Sequence, residues 1–189
     1  MVKIVSSSLT FLQTLGRDGN RLLGLGIDGL TAGGIVRGEC SEVPIRRATT
    51  ADIQGVAACV DHAYQYSIGR IGQTPGPMLE DYGQVIAERE VFVAELDRRI
   101  VGVLVLVETK EGFLLENVAV SPECQGKGIG RQLLELAELR AKAVGFASIY
   151  LYTHEKMIEN QALYARLGYA EYDRRTERDL SRVYMRKQL

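Results

Sequence analysis

The chain has 189 residues, a length that suits one domain or one domain with an appendage. Hydrophobic residues make up 46% and charged residues 25%, with a net charge of −1, so there is material for an ordinary core and no basic footprint for nucleic acid or a membrane surface. Cys40, Cys59 and Cys124 are widely spaced, and His62 and His154 lie far apart, so neither a disulfide framework nor a metal site is expected. No apolar run is long enough to span a bilayer, and no h-region follows Lys3; a cytoplasmic, reducing location is the expectation.

Residues 1–42 are glycine- and serine-rich, with Gly24, Gly26, Gly29, Gly33 and Gly34 interrupting any helical pattern, and read as a poorly ordered N-terminal extension. From Val43 the punctuation becomes regular and a domain over 43–189 is expected. Val43 to Arg47 is a short strand candidate. Thr49 with Asp52 forms a capping-box pattern before a helix over Thr50–Ser67. Gly69 to Pro77 reads as a loop, and Leu79 to Glu90 as a second helix. Val91–Leu96 and Ile100–Val107 read as a hairpin around Asp97-Arg98-Arg99. Phe113 to Val120 is nearly continuously apolar, as a strand covered on both faces would be. Gly128–Val144 is an amphipathic helix closed at Gly145, Ser148–Thr153 a strand, and Ile158–Leu167 a helix closed at Gly168. Ala170–Arg174 and Arg182–Lys187 are strand-like. This order indicates a mixed α/β domain.

The chemistry lies in the stretch from Glu116 to Arg131: a buried strand, a short glycine-bearing loop, then a long helix. A helix start offers unpaired N–H groups and partial positive charge, and glycines let the backbone close around a phosphate. Lys127 and Arg131 add cations. The residues therefore predict a phosphate or pyrophosphate at Gln125 to Arg131. A P-loop is excluded because Lys127 is followed by Gly128, and the dinucleotide fingerprint fails because Arg131 stands where its last glycine belongs.

What fits is Q-x-x-G-x-G, as Gln125, Gly128 and Gly130. Together with Asn117-Val118-Ala119-Val120-Ser121-Pro122 and Leu163-Tyr164-Ala165-Arg166-Leu167-Gly168-Tyr169, in that order and spacing, it resembles the GNAT superfamily of N-acetyltransferases from about Pro44 to Leu189. The resemblance implies a predominantly antiparallel sheet flanked by helices. It also implies acetyl-CoA as cosubstrate and direct transfer of its acetyl group to an amine in a ternary complex. Backbone groups of Val118, Ala119 and Val120 would pair with the pantetheine arm, and those of Gln125, Gly126, Lys127, Gly128, Ile129, Gly130 and Arg131 would hold the pyrophosphate. The strands before Val120 and after Ser148 would splay apart, and Tyr164 would protonate the departing thiolate.

Glu116 follows the apolar run Phe113-Leu114-Leu115, where semi-burial would raise its pKa and suit it to take a proton from the attacking amine; a structural hydrogen bond across the splay is the plainer alternative. The family's usual CoA-contacting asparagine, seven residues before the tyrosine, is Met157 here, and Asn160 one turn later stands in for it or is simply a polar helix residue. His154 reads as a solvent-facing loop residue, His62 as surface, and Cys124 as a loop residue without a histidine partner. Residues 69–77, with Glu80 and Asp81 beyond, lie where the family builds its acceptor site. The acceptor is expected to be an amine-bearing small molecule, peptide or protein. Edge strands of such a sheet can pair, which allows a homodimer. The alternative function is a non-catalytic acetyl-CoA or CoA sensor.

Overall fold

The computed structural model describes residues 43–177 and 180–189; the expected extension at 1–42 lies outside them. Seven strands form one sheet: β1 (Ile45–Arg47), β2 (Glu90–Leu96), β3 (Arg99–Thr109), β4 (Gly112–Val120), β5 (Ser148–His154), β6 (Ala170–Glu177) and β7 (Leu180–Gln188). Their order across the sheet is β1-β2-β3-β4-β5-β7-β6. Every neighbouring pair is antiparallel except β4 and β5. That parallel pair needs a crossover, and α4 (Ile129–Ala143) supplies it. The remaining helices are α1 (Ile53–Tyr64), α2 (Ile68–Ile71), α3 (Tyr82–Glu88) and α5 (Ile158–Arg166).

Local chemistry accounts for the boundaries. The Thr49 N–H donates to Asp52 Oδ2 at 2.8 Å, closing the expected cap, and Arg46 grips the same carboxylate through both terminal nitrogens at 2.8 Å. That guanidinium holds Asp52 well below the ordinary carboxylate range. The helix expected from Leu79 starts later, because Asp81 is its N-cap and accepts from the N–H groups of Gly83 (2.9 Å) and Gln84 (3.3 Å). The segment expected to be an unbroken loop contains the single turn α2, stopped at Gly72. Asp97 and Arg98 both adopt positive φ, the geometry of a tight two-residue hairpin turn.

Two cores lie on the two sheet faces. On one, α4 buries Ile129, Leu133, Leu134, Ala137 and Ala141 against β3, β4 and β5, joined by Leu163 and Tyr164 of α5. On the other, α1 buries Val56, Cys59, Val60 and Tyr64, with Val85 of α3, against Val91, Val103 and Val105. Each fully buried leucine or isoleucine here contributes about 2 kcal/mol. Gly102 of β3 allows α4 to approach: a Cβ there would meet Ala94 Cβ at 3.0 Å and Ile129 Cγ2 and Leu133 Cδ1 at 3.1 Å. The first turn of α4, and so the loop before it, is set by this close contact.

Candidate active site

Strand β4 is covered along its length, as its apolar sequence predicts, but its side chains do not alternate simply. Phe113 and Leu115 share one core with Val118 and Val120, a switch from odd to even positions. Strict pleating cannot do this; one extra residue must be inserted. The register shows it. Val105 faces Asn117, while Leu106 faces Leu115, leaving Glu116 as the bulged residue. The bulge turns Glu116 and Asn117 toward the α1–α3 face. There Tyr64 donates its hydroxyl to Asn117 Oδ1 at 2.7 Å, and Arg89 Nη1 donates to Glu116 Oε2 at 2.6 Å.

The same bulge marks where β4 and β5 part. Their pairing is confined to Phe113 with Ile149 and Leu114 with Tyr150. Beyond it, β4 runs from Glu116 to Val120 bonded only to β3, while β5 continues to His154 bonded to β7. A gap therefore opens between two central strands, with main-chain groups of Val118 to Val120 along one wall.

The loop that follows ends at the N-terminus of α4. Gly126 and Gly128 have φ of 75° and 83°, left-handed values that only glycine adopts without strain, and a Cβ on Gly128 would meet nothing within 4 Å. Gln132 is the first residue of this helix whose N–H reaches a carbonyl, Gly128 O at 3.1 Å, so the preceding turn points its N–H groups outward. No side chain caps this start. The Gln125 side chain donates to Val120 O at 3.0 Å and ties the loop to β4, so what that residue offers a ligand is its main chain. Lys127 is exposed, and Arg131 is exposed and paired with Glu135 at 2.8 Å.

Residues 87–171 match the family model described as an acetyltransferase (GNAT) domain. Over these residues the chain carries a GNAT acetyltransferase domain. Its GNAT sheet resembles that of the PaiA N-acetyltransferase of Thermoplasma acidophilum in complex with coenzyme A: TM-score 0.67, 19% identity, 78% of this chain and 99% of that one. It also resembles the ribosomal-protein-S18-alanine N-acetyltransferase of Escherichia coli, with TM-score 0.61, 19% identity, and coverage of 77% and 92%. Mouse N-alpha-acetyltransferase 80 is 36% identical over 64 residues, which are 34% of this chain and only 19% of the mouse protein.

Glu116 and Tyr164 lie on opposite faces of the sheet, Glu116 with Arg89 and Tyr164 in the core under α4. Burial pushes the Glu116 carboxyl up to about 7 despite the Arg89 guanidinium, with Glu80 adding repulsion. Tyr164 is buried in the same core as Leu163, Val118 and Leu151, packs edge-on against Tyr169 at 5.7 Å, and is held protonated by that burial. Asn160, one turn before it, is 2% exposed, and its Nδ2 has no hydrogen-bond partner among the described residues. A buried amide left this way suits a ligand acceptor. His154 is not a solvent-facing loop residue: it ends β5, is 4% exposed, and its Nδ1 accepts from the Lys156 N–H at 3.1 Å. Cys124 is buried in the turn after β4, while the His62 side chain is exposed as expected. Among the described residues no group of three or more His, Cys, Asp or Glu could hold a metal ion, and no helix is long and apolar enough to cross a membrane.

Sequence reasoning missed Arg89 and Glu80 as partners of Glu116. Arg89 lies 27 positions from Glu116, across an intervening hairpin. A signal did exist: two consecutive polar residues, Glu116 and Asn117, in an otherwise apolar strand cannot both avoid the core unless the pleat is interrupted.

Proposed function

We propose that this chain transfers the acetyl group of acetyl-CoA to an amine by direct attack. The observation that carries the reading is the parted β4–β5 pair leading into the uncapped N-terminus of α4: a slot lined by main-chain donors and acceptors, ending in a cradle for a pyrophosphate. Val118, Ala119 and Val120 would bond the pantetheine arm and Gln125 to Arg131 the pyrophosphate, with Asn160 donating its unpartnered amide from the β5 side.

Two faces then divide the proton work. The neutral amine attacks the thioester carbonyl carbon from the α1–α3 side, and a backbone N–H near Val118 receives the oxyanion. Glu116 accepts the proton lost by the new ammonium, with an affinity near neutrality that suits the exchange. The C–S bond breaks, and Tyr164 gives its proton to the thiolate on the opposite face. The products are an N-acetylated amine and free CoA thiol. The cytoplasm, with its acetyl-CoA and reducing conditions, is the compartment we assign.

The test is thiol release from acetyl-CoA with a panel of amines. The name of the mouse relative puts peptides with a free α-amino group first; lysine peptides, amino acids and small polyamines follow. Release with at least one amine, dependent on the chain, supports the reading. Tight CoA binding without release for any amine would leave a cofactor sensor instead.

A further inference from the structure

Behind Glu116 lies a polar assembly that the transfer steps above do not use. Arg89, the residue that closes α3, sits between two carboxylates: its Nη1 is 2.6 Å from Glu116 Oε2, and its Nη2 is 3.7 Å from Glu80 Oε2. All three side chains are more than three-quarters buried. Glu80 comes from the segment between α2 and α3, where Tyr82 donates its hydroxyl to Pro77 O at 2.9 Å and fixes the chain beside a small cavity bounded by Val85, Val105 and Asn117. This arrangement joins the connecting segment to the bulge through one guanidinium.

We propose that Arg89 is a positioning residue that aims the Glu116 carboxylate into the parted strands, with Glu80 as the counter-charge that compensates Arg89 whenever Glu116 is neutral. The inference rests on Glu116 being the proton acceptor. Arg89 grips Oε2, so Oε1 is the oxygen offered to the incoming proton. When the acceptor's ammonium transfers that proton, Glu116 becomes neutral and its bond to Arg89 weakens. A buried guanidinium without a counter-ion would be costly, and Glu80 already stands next to it. The proton then leaves Glu116 for solvent and the original pairing returns. The other ionisable groups around the carboxyl are Tyr82 of α3, Tyr64 of α1 through Asn117, and Tyr152 of β5 with Arg182 stacked on its ring at 4.9 Å. Burial holds the Tyr82 and Tyr152 hydroxyls protonated.

The experiment is a carboxyl titration by NMR on the full chain labelled with 13C at the glutamate carboxyls, Glu116 being assigned by its loss in Glu116→Gln. The wild-type midpoint is expected at about 7. Glu80→Gln should lower it, and Arg89→Met should raise it by about 1–3 units. With an α-amino peptide and acetyl-CoA, Arg89→Met should lower kcat more than it raises KM, and Arg89→Lys should recover part of the loss. A Glu116 midpoint unmoved by Glu80→Gln, in a protein whose melting temperature still rises with acetyl-CoA, would overturn the inference, and this variant decides if Arg89→Met does not fold. Undiminished turnover in Glu116→Gln would instead remove the base assignment beneath it, whatever the midpoints.

Discussion

Replacing Glu116 by glutamine should change how stability depends on pH. The native carboxyl titrates at about 7 against a reference of 4.5, so between those values the native state holds a proton that the unfolded chain has lost. More protons bound in the native state means that stability falls as pH rises through this window. Glu116 is 8% exposed, so solvent screening does not erase the effect. The offset costs the wild type about 2–3 kcal/mol between about pH 5 and pH 8. Glutamine cannot titrate and should escape that cost while still accepting a hydrogen bond from Arg89. Urea unfolding of both proteins at the two pH values gives the difference directly, since groups titrating elsewhere cancel. The variant should gain about 2–3 kcal/mol on the wild type on going from the lower to the higher pH. Parallel stability curves would show that Arg89 outweighs burial and that Glu116 ionises like an ordinary glutamate, which would remove the physical ground for calling it a base near neutrality.

Tyr164→Phe should lower turnover by about 10²–10⁴-fold, the usual weight of a general acid, with acetyl-CoA affinity nearly unchanged in a calorimetric titration; full turnover would leave Tyr164 a packing residue. Gly128→Ala places a β-carbon at φ of 83°, in open space, so steric overlap is not the issue; the left-handed strain of about 1–2 kcal/mol should lower the melting temperature and weaken CoA binding together. Gly102→Val should destabilise by about 1–3 kcal/mol, measured by urea unfolding, because its Cβ alone would already crowd Ile129 and Leu133 of α4.

Much of the fold was legible because its signals are local. The Thr49–Asp52 cap, the turn at Asp97-Arg98 and the glycines closing α4 and α5 each act within a few residues, and the elements they bound were placed to within a few positions. The order at the C-terminal edge was not legible. β7 inserts between β5 and β6, a choice made by long-range pairing that no local pattern records. The bulge was harder to see for a different reason: Phe113, Leu114, Leu115, Val118, Ala119 and Val120 are all apolar, so the change of parity at Glu116 shows only in the consecutive polar pair Glu116-Asn117. The shape of the loop before α4 was readable because left-handed backbone at Gly126 and Gly128 demands glycine. Arg89 and Glu80 were not, because ion-pair partners are chosen by the folded geometry. His154 was misjudged as exposed because β5 runs one residue further than its apolar pattern suggests.

The most direct test of the central claim is thermal denaturation of the full chain with acetyl-CoA, with CoA and with ATP. A rise in melting temperature with both CoA species but not with ATP is the expected result, since a ligand that binds only the native state stabilises it by mass action. No shift with either CoA species would mean that the slot between β4 and β5 and the Gln125–Arg131 loop do not hold the cofactor, and the acetyl-transfer reading would fall with them.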